Sequence, residues 1–167
     1  MSFVARNHPQ KPVDDSVDDR RTPPEFFARL NRIHNFTLDA AASRDNALVD
    51  RYCDLASNGL LVSWVGQRVW CNPPYSRLGP WLEKAWYAME YGGCERVVML
   101  LPANRCEQPF WQKHIEPFRD GKEDRGGIRL TVEFLPGRMR FGFPPGRIRP
   151  KKGDRPPFGL VLLTWTR

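Results

Sequence analysis

Apolar and polar residues fall along the chain in blocks whose spacing predicts a strand and helix series. Residues 1–21 carry Pro, Asp and Arg with few apolar side chains and read as a flexible tail. The segment TPPEFFARLNRI, 22–33, has the signs of a helix start. Thr22 is placed to cap, Pro23 and Pro24 suit a first turn, and Glu25 lies near the positive end of the helix dipole. Phe26, Phe27 and Leu30 give that helix its apolar face, with Phe26 read as core. FTLDAAAS predicts a strand over 36–39 that ends on an acid, followed by a tight turn of small residues over 40–43. The stretch 44–67 has no clear period; its NALVDRYCDL segment suits one or two helical turns.

Beyond it the pattern sharpens. RVWC, 68–71, is a strand running straight into Asn72-Pro73-Pro74-Tyr75. Trp81, Leu82, Ala85, Trp86 and Met89 recur at helical spacing within 78–93, and Gly92 and Gly93 end that helix. RVVMLLP, 96–102, reads as a buried strand, and 107–116 as a short amphipathic helix with Phe110, Trp111 and Ile115 inward. IRLTVEFL, 128–135, alternates like a strand, and FGLVLLTW, 158–165, is the last one. A Pro-, Gly- and Arg-rich loop, 137–157, lies between them. Alternating strands and helices followed by two further strands predict an α/β fold. In such folds ligands bind beyond the carboxyl ends of the parallel strands, which puts Asp39 and Asn72 on one rim.

Composition narrows the class. A chain of 167 residues is the size of one domain, expected over 22–167, and long enough for its own core. Its 41% hydrophobic and 27% charged residues are those of an ordinary soluble protein, which excludes a collagen, a wholly disordered chain and a disulfide scaffold. No apolar run approaches the roughly 18 residues that span a bilayer, and the N-terminus lacks the apolar core of a secretory signal, so a cytoplasmic location is expected. Cys53, Cys71, Cys94 and Cys106 form no C-x-x-C pair, and His8, His34 and His114 are scattered. Neither a metal site nor a disulfide framework is expected, and Cys71 reads as a small apolar filler. Trp64, Trp70, Trp81, Trp86 and Trp111 read as core aromatics. The net charge of +7 favours polyanionic partners, nucleic acid foremost.

The chemistry concentrates in Asn72-Pro73-Pro74-Tyr75. Two consecutive prolines fix their own φ, hold the residue before them extended and remove two backbone donors. The loop is then rigid and presents acceptors, the Asn72 side-chain oxygen and backbone carbonyls near Pro73. Such a pair accepts both hydrogens of an exocyclic amino group, while Tyr75 is expected to stack on the aromatic ring that carries it. A planar aromatic amine is a poor nucleophile because its lone pair is delocalised. Acceptors that draw its hydrogens out of plane favour the tetrahedral nitrogen of a transition state without a strong base. The electrophile has to come from a cofactor, for which a sulfonium methyl donor is the natural candidate. Taken by itself, the tetrapeptide also suits a plain proline-rich turn leaving a strand.

The motifs TPPEFF (22–27), LDAAAS (38–43), WCNPPYS (70–76), WLEKA (81–85) and LLPANR (100–105), in that order, resemble the phage-type DNA N-6-adenine methyltransferases, a Dam-like family of phages and prophages. The resemblance covers about residues 22–165. It implies an abridged Rossmann-like, S-adenosylmethionine-dependent methyltransferase fold with a mixed sheet and C-terminal antiparallel strands, acting in a bacterial host. It further implies that Asn72, Pro73, Pro74 and Tyr75 hold the target adenine. Asp39, Ala40 and Ala41 would let the cofactor approach the strand end, and Thr22 and Pro23 would sit near its methionine carboxylate. Two features depart from the wider class. Ala40, Ala41 and Ala42 replace the usual Gly-x-Gly turn, and alanine resists φ > 0. The interval 40–71 has room for about one βα step of thirty residues, so the sheet must be abridged there. The ribose-binding acid stays unassigned among Asp45, Asp50 and Asp54.

The long loop adds a basic stripe. Arg138, Arg140, Arg147, Arg149, Lys151, Lys152 and Arg155 stand against Asp154 alone, interleaved with Phe141 and Phe143. This suits a DNA backbone, although a solvated loop has the same composition. A duplex target would have to be flipped out to reach Tyr75. Arg105 follows a strand end, where it could meet DNA, cofactor or only solvent. Other readings of the whole chain remain open: an amino-methyltransferase acting on RNA or on protein glutamine, or a catalytically silent DNA-binding relative.

Overall fold

A computed structural model of the chain describes residues 18, 20–143 and 155–167. Three helices, α1 (Pro24–His34), α2 (Leu78–Glu90) and α3 (Pro109–His114), accompany five strands: β1 (Leu38–Asp39), β2 (Arg68–Cys71), β3 (Arg96–Pro102), β4 (Arg129–Phe134) and β5 (Leu160–Thr166). The sheet order is β1-β2-β3-β5-β4. Strands β1, β2 and β3 are parallel, and β5 runs antiparallel to both its neighbours, so β4 again points the same way as β3. This is a mixed α/β sheet with one reversed strand, and its last two strands form the antiparallel pair expected from the sequence.

The parallel strands are covered on both faces, which is why β2 and β3 read as nearly continuous apolar runs. Phe27 of α1, Phe36 and Trp70 meet as an aromatic cluster, with Phe27 edge-on to Trp70 at 5.7 Å between ring centroids. Helix α2 buries Trp81, Leu82, Ala85, Trp86 and Met89 and packs near β3, β5 and α3. Trp86 stands edge-on to Trp165 of β5 and donates its indole N–H to the His114 carbonyl at 2.8 Å. All five tryptophans expected in the core are buried there, as is Cys71. At the sheet's far edge β4 is largely exposed, with Leu130 turned inward.

Helix ends follow local chemistry. Asn35 closes α1 in the left-handed region at φ 49°, and Asn31 Oδ1 accepts the Phe36 N–H at 2.7 Å. The first strand is Leu38–Asp39, shorter than the expected 36–39. Thr22 does not cap α1. The N-cap position is Pro23, with no side-chain capping bond, and the Thr22 hydroxyl is engaged elsewhere. The segment 44–67 forms turns in place of helix. Part of it runs along the outer side of β1, where Asp39 N–H donates to the Arg51 carbonyl and Cys53 N–H to the Asp39 carbonyl. No described helix is long and apolar enough to cross a membrane.

The absent glycine turn after β1 is made good from outside. Ala40 is fully buried, and a Cβ on Gly59 would come within 2.0 Å of the Ala40 carbonyl oxygen. A glycine distant in sequence thus allows the backbone approach that a glycine within the turn commonly provides.

Candidate functional site

Strands β1 and β2 are neighbours in parallel register, so their carboxyl ends deliver Asp39 and Asn72 to the same rim. Asp39 is only 2% exposed. Burial raises the pKa of its carboxyl to about 6, against the lowering effect of N–H donors from Leu48 at 3.2 Å and Ala41 at 3.4 Å. Asp39, Ala41, Asn72 and Thr22 line one cleft of about 40 Å3. Thr22 and Pro23 also line an adjoining cavity of about 560 Å3 with Asn46, Leu48 and Arg140. Thr22 borders both, so the structure brings Asp39, Ala41 and Asn72 on the cleft side next to Pro23 on the cavity side, residues far apart in the chain.

The Asn72 amide has a defined orientation. Its Nδ2 donates to the Arg20 carbonyl at 3.0 Å and to Thr22 Oγ1 at 3.2 Å. A carbonyl only accepts, so the nitrogen must face it. Asn72 Oδ1 is left buried without a hydrogen-bond partner. Native structures rarely leave a buried acceptor unpaired, so an orphan here is a functional signal. Among the loop's carbonyls, that of Pro74 accepts from Arg77 N–H and that of Tyr75 from Arg105 at 2.8 Å. Arg105, open in role from sequence, thus braces the proline loop.

Tyr75 departs from expectation. Its ring is 2% exposed and packs edge-on to Phe158 at 6.2 Å, and its hydroxyl is buried without a partner. Burial holds the phenol well above its ordinary pKa. The ring does not lie open to an incoming purine, and the 40 Å3 cleft beside Asn72 is smaller than a base. The cover comes from both ends of the chain. The Arg20 guanidinium stands 5.8 Å from the Phe158 ring centroid and 5.9 Å from that of Phe141. Arg21 pairs with Gly142 through two backbone hydrogen bonds. Asp18 accepts from the Ser76 N–H at 3.0 Å and the Ser76 hydroxyl at 2.6 Å.

Asp18, Arg20 and Arg21, within the stretch expected to be a tail, are thus fastened across the proline loop. Sequence reading missed them and Phe158 as neighbours of the site. The only hint was local, a pair of arginines just before Thr-Pro-Pro.

The basic stripe is described in part. Arg138 and Arg140 are exposed. Arg138 borders a groove of about 590 Å3 beside α1, while Arg140 borders the cavity next to Thr22. Arg147, Arg149, Lys151 and Lys152 lie outside the described residues. Of the three acids considered for a ribose, Asp54 is half-buried and locked into a local turn with Ser57, and Asp45 lines the cavity beside Thr22.

A DNA N-6-adenine-methyltransferase of Escherichia phage T1 is 39% identical over 85 residues, half of this chain and 35% of the phage protein, so the chain spans about a third of that relative's length. The profile of one family matches residues 10–119, which takes in the proline loop, Thr22, Asp39 and the segment fastened across them. The chain belongs to the DNA N-6-adenine-methyltransferase (Dam) family.

Proposed function

We propose that the protein transfers a methyl group from S-adenosylmethionine to the exocyclic amino group of adenine in DNA. The observation that carries this reading is the orphaned, oriented Asn72 Oδ1 beside two prolines at the carboxyl end of β2. On this reading the chain is an abridged Rossmann-like methyltransferase, with β1, β2 and β3 as its parallel half, working in the cytoplasm of a bacterial host.

The residues around the hollow suit the donor. Its amino-acid head carries an ammonium, which the buried Asp39 carboxylate would hold, and a carboxylate, which the buried and unpartnered Arg21 Nε would meet. Pro23 and Ala41 line that end, while Ala40, expected there from the sequence, is fully buried behind it against Gly59. A volume of about 560 Å3 lies within the usual range of a small-molecule site. When bound, the donor supplies an electrophilic methyl whose bond to sulfur breaks as the bond to the amine nitrogen forms.

The chain's own residues prepare the amine. Asn72 Oδ1 and the backbone carbonyl near Pro73 accept its two hydrogens and turn the nitrogen lone pair toward the methyl. The proton released afterwards leaves to water. The acceptors are fixed before substrate arrives, so little reorganisation opposes the step. Tyr75 and Phe158 form the aromatic wall for the base once the Arg20 side chain withdraws. A planar guanidinium beside phenyl rings is a fair stand-in for a base, and its exit leaves the Arg21–Gly142 backbone pairing and the Asp18 carboxylate on Ser76 in place. Arg138, Arg140, Arg147, Arg149, Lys151 and Lys152 would contact the phosphate backbone of a flipped-out site.

The buried Tyr75 ring favours one other reading, a DNA-binding relative without catalysis, in which Arg20 never leaves. Incubation with labelled S-adenosylmethionine and adenine-containing DNA separates the two. Label on adenine N6, lost by about 100-fold or more in Asn72→Ala, supports transfer. DNA binding without label, together with no calorimetric binding of the donor, would establish the silent alternative.

A further inference from the structure

Two X-Pro-Pro segments meet in this molecule. Thr22-Pro23-Pro24 leads into α1, and Asn72-Pro73-Pro74 leads out of β2. In each, the residue before the first proline is confined to extended backbone and the next two positions lack N–H donors. Their first residues touch through side chains, Asn72 Nδ2 donating to Thr22 Oγ1 at 3.2 Å. The Arg20 carbonyl takes the second hydrogen of the same nitrogen. Both amide hydrogens are thereby used, and Thr22 itself is only 8% exposed.

We propose that Thr22 is a positioning residue for Asn72: its hydroxyl oxygen, with the Arg20 carbonyl, locks the amide so that Oδ1 and not Nδ2 faces the amine to be methylated. The inference rests on the amino-methyltransferase reading above. An asparagine amide has two ends of nearly equal size and opposite hydrogen-bonding sense. Turned over, it would set an NH2 against the substrate's NH2, donor against donor, and the acceptor would be lost. The Arg20 carbonyl, which only accepts, decides that Nδ2 faces it; the Thr22 hydroxyl, accepting from Nδ2 on a proline-stiffened backbone, adds the second bond that fixes the amide in place. The backbone pairing of Arg21 with Gly142 fixes the chain between the two acceptors. The hydroxyl keeps its own proton to donate, so a bond to the donor's carboxylate is a separate role, which the affinity arm of the test reads.

The test compares Thr22→Val, which keeps shape and loses the oxygen, with Thr22→Ser, which keeps the oxygen. Methyl transfer to DNA is measured alongside calorimetric affinity for S-adenosylmethionine and thermal melting. Thr22→Val is expected to lower kcat by about 10- to 100-fold, as small misplacements of a reacting group do, with donor Kd within about 2-fold of wild type. Thr22→Ser should recover most of the rate. Asn72→Ala with Thr22→Val should be no slower than Asn72→Ala alone, since the second residue acts through the first. Unchanged kcat in a folded Thr22→Val protein overturns the proposal. So does a donor Kd raised tenfold or more at unchanged kcat, which would make Thr22 a donor ligand. A wild-type chain that transfers no methyl to any DNA takes down the parent reading and this one with it, an outcome separable from the others by its wild-type arm.

Discussion

Replacing Asp39 by asparagine should make the protein more stable at neutral and alkaline pH. The free carboxyl titrates near 3.8, and in the fold burial raises it to about 6. Between those values the folded chain binds more protons than the unfolded one, so stability falls as pH rises through the interval. A rise of that size corresponds to about 3 kcal/mol at about 1.36 kcal/mol per pH unit. Asp39 is almost wholly buried, so solvent screening takes little from the figure.

Above pH 7 the ionised carboxylate therefore carries a net penalty of a few kcal/mol, what remains after the Leu48 and Ala41 N–H groups have offset part of the burial. The amide introduced by Asp39→Asn would keep an acceptor for one of these donors and lose the charge. Because its NH2 meets the other donor, at a cost of about 1–2 kcal/mol, the variant should gain about 1–2 kcal/mol at pH 8, or about 2–8 °C in Tm for a domain of this size, and lose about 1 kcal/mol at pH 4. Urea unfolding of both proteins at pH 4, 5, 6, 7 and 8 reads the difference, which cancels the other titrating acids. Equal stability of the two proteins across the series would contradict this account, as would a loss at pH 8. On the proposed reading this carboxylate holds the donor's ammonium, so the same variant should bind S-adenosylmethionine more weakly.

Three other expectations follow from single contacts. Tyr75→Phe removes a buried hydroxyl that has no partner and should be neutral or up to about 1 kcal/mol stabilising in denaturant titration; a loss above that would reveal a partner for the hydroxyl. Gly59→Ala should destabilise by about 3 kcal/mol or more in the same assay, because its Cβ would collide with the Ala40 carbonyl and neither backbone can yield cheaply; wild-type stability would mean the turn after β1 is not held as described. Arg138→Ala combined with Arg140→Ala should weaken DNA binding alike across sequences and flatten its salt dependence, read by anisotropy from low to high salt; an unchanged slope would remove both from the DNA interface.

The order of elements was legible in the chain because it rests on short-range periodicity. The Trp81-Leu82-Ala85-Trp86-Met89 spacing makes a helix wherever it lies, and RVWC and RVVMLLP carry runs that only a doubly covered strand tolerates. The proline loop was equally legible, since two prolines stiffen Asn72 regardless of the rest of the fold. Segment 44–67 was not: its turns follow the edge of β1, and the bonds that hold it there come from Asp39 and not from a period of its own.

Closure of the site and the direction of its key amide arise from the three-dimensional arrangement. Nothing near Tyr75 in sequence foretells that Phe158 will lie against it, or that Arg20 will sit beside Phe158 and Phe141. Nor does any local pattern tell that Thr22, read as a helix cap, spends its hydroxyl on Asn72. Backbone stiffness and helical or strand period are properties of a few consecutive residues and can be read from them. Burial and hydrogen-bond partnership belong to pairs distant along the chain, and they come into being only when the sheet has set its strand order.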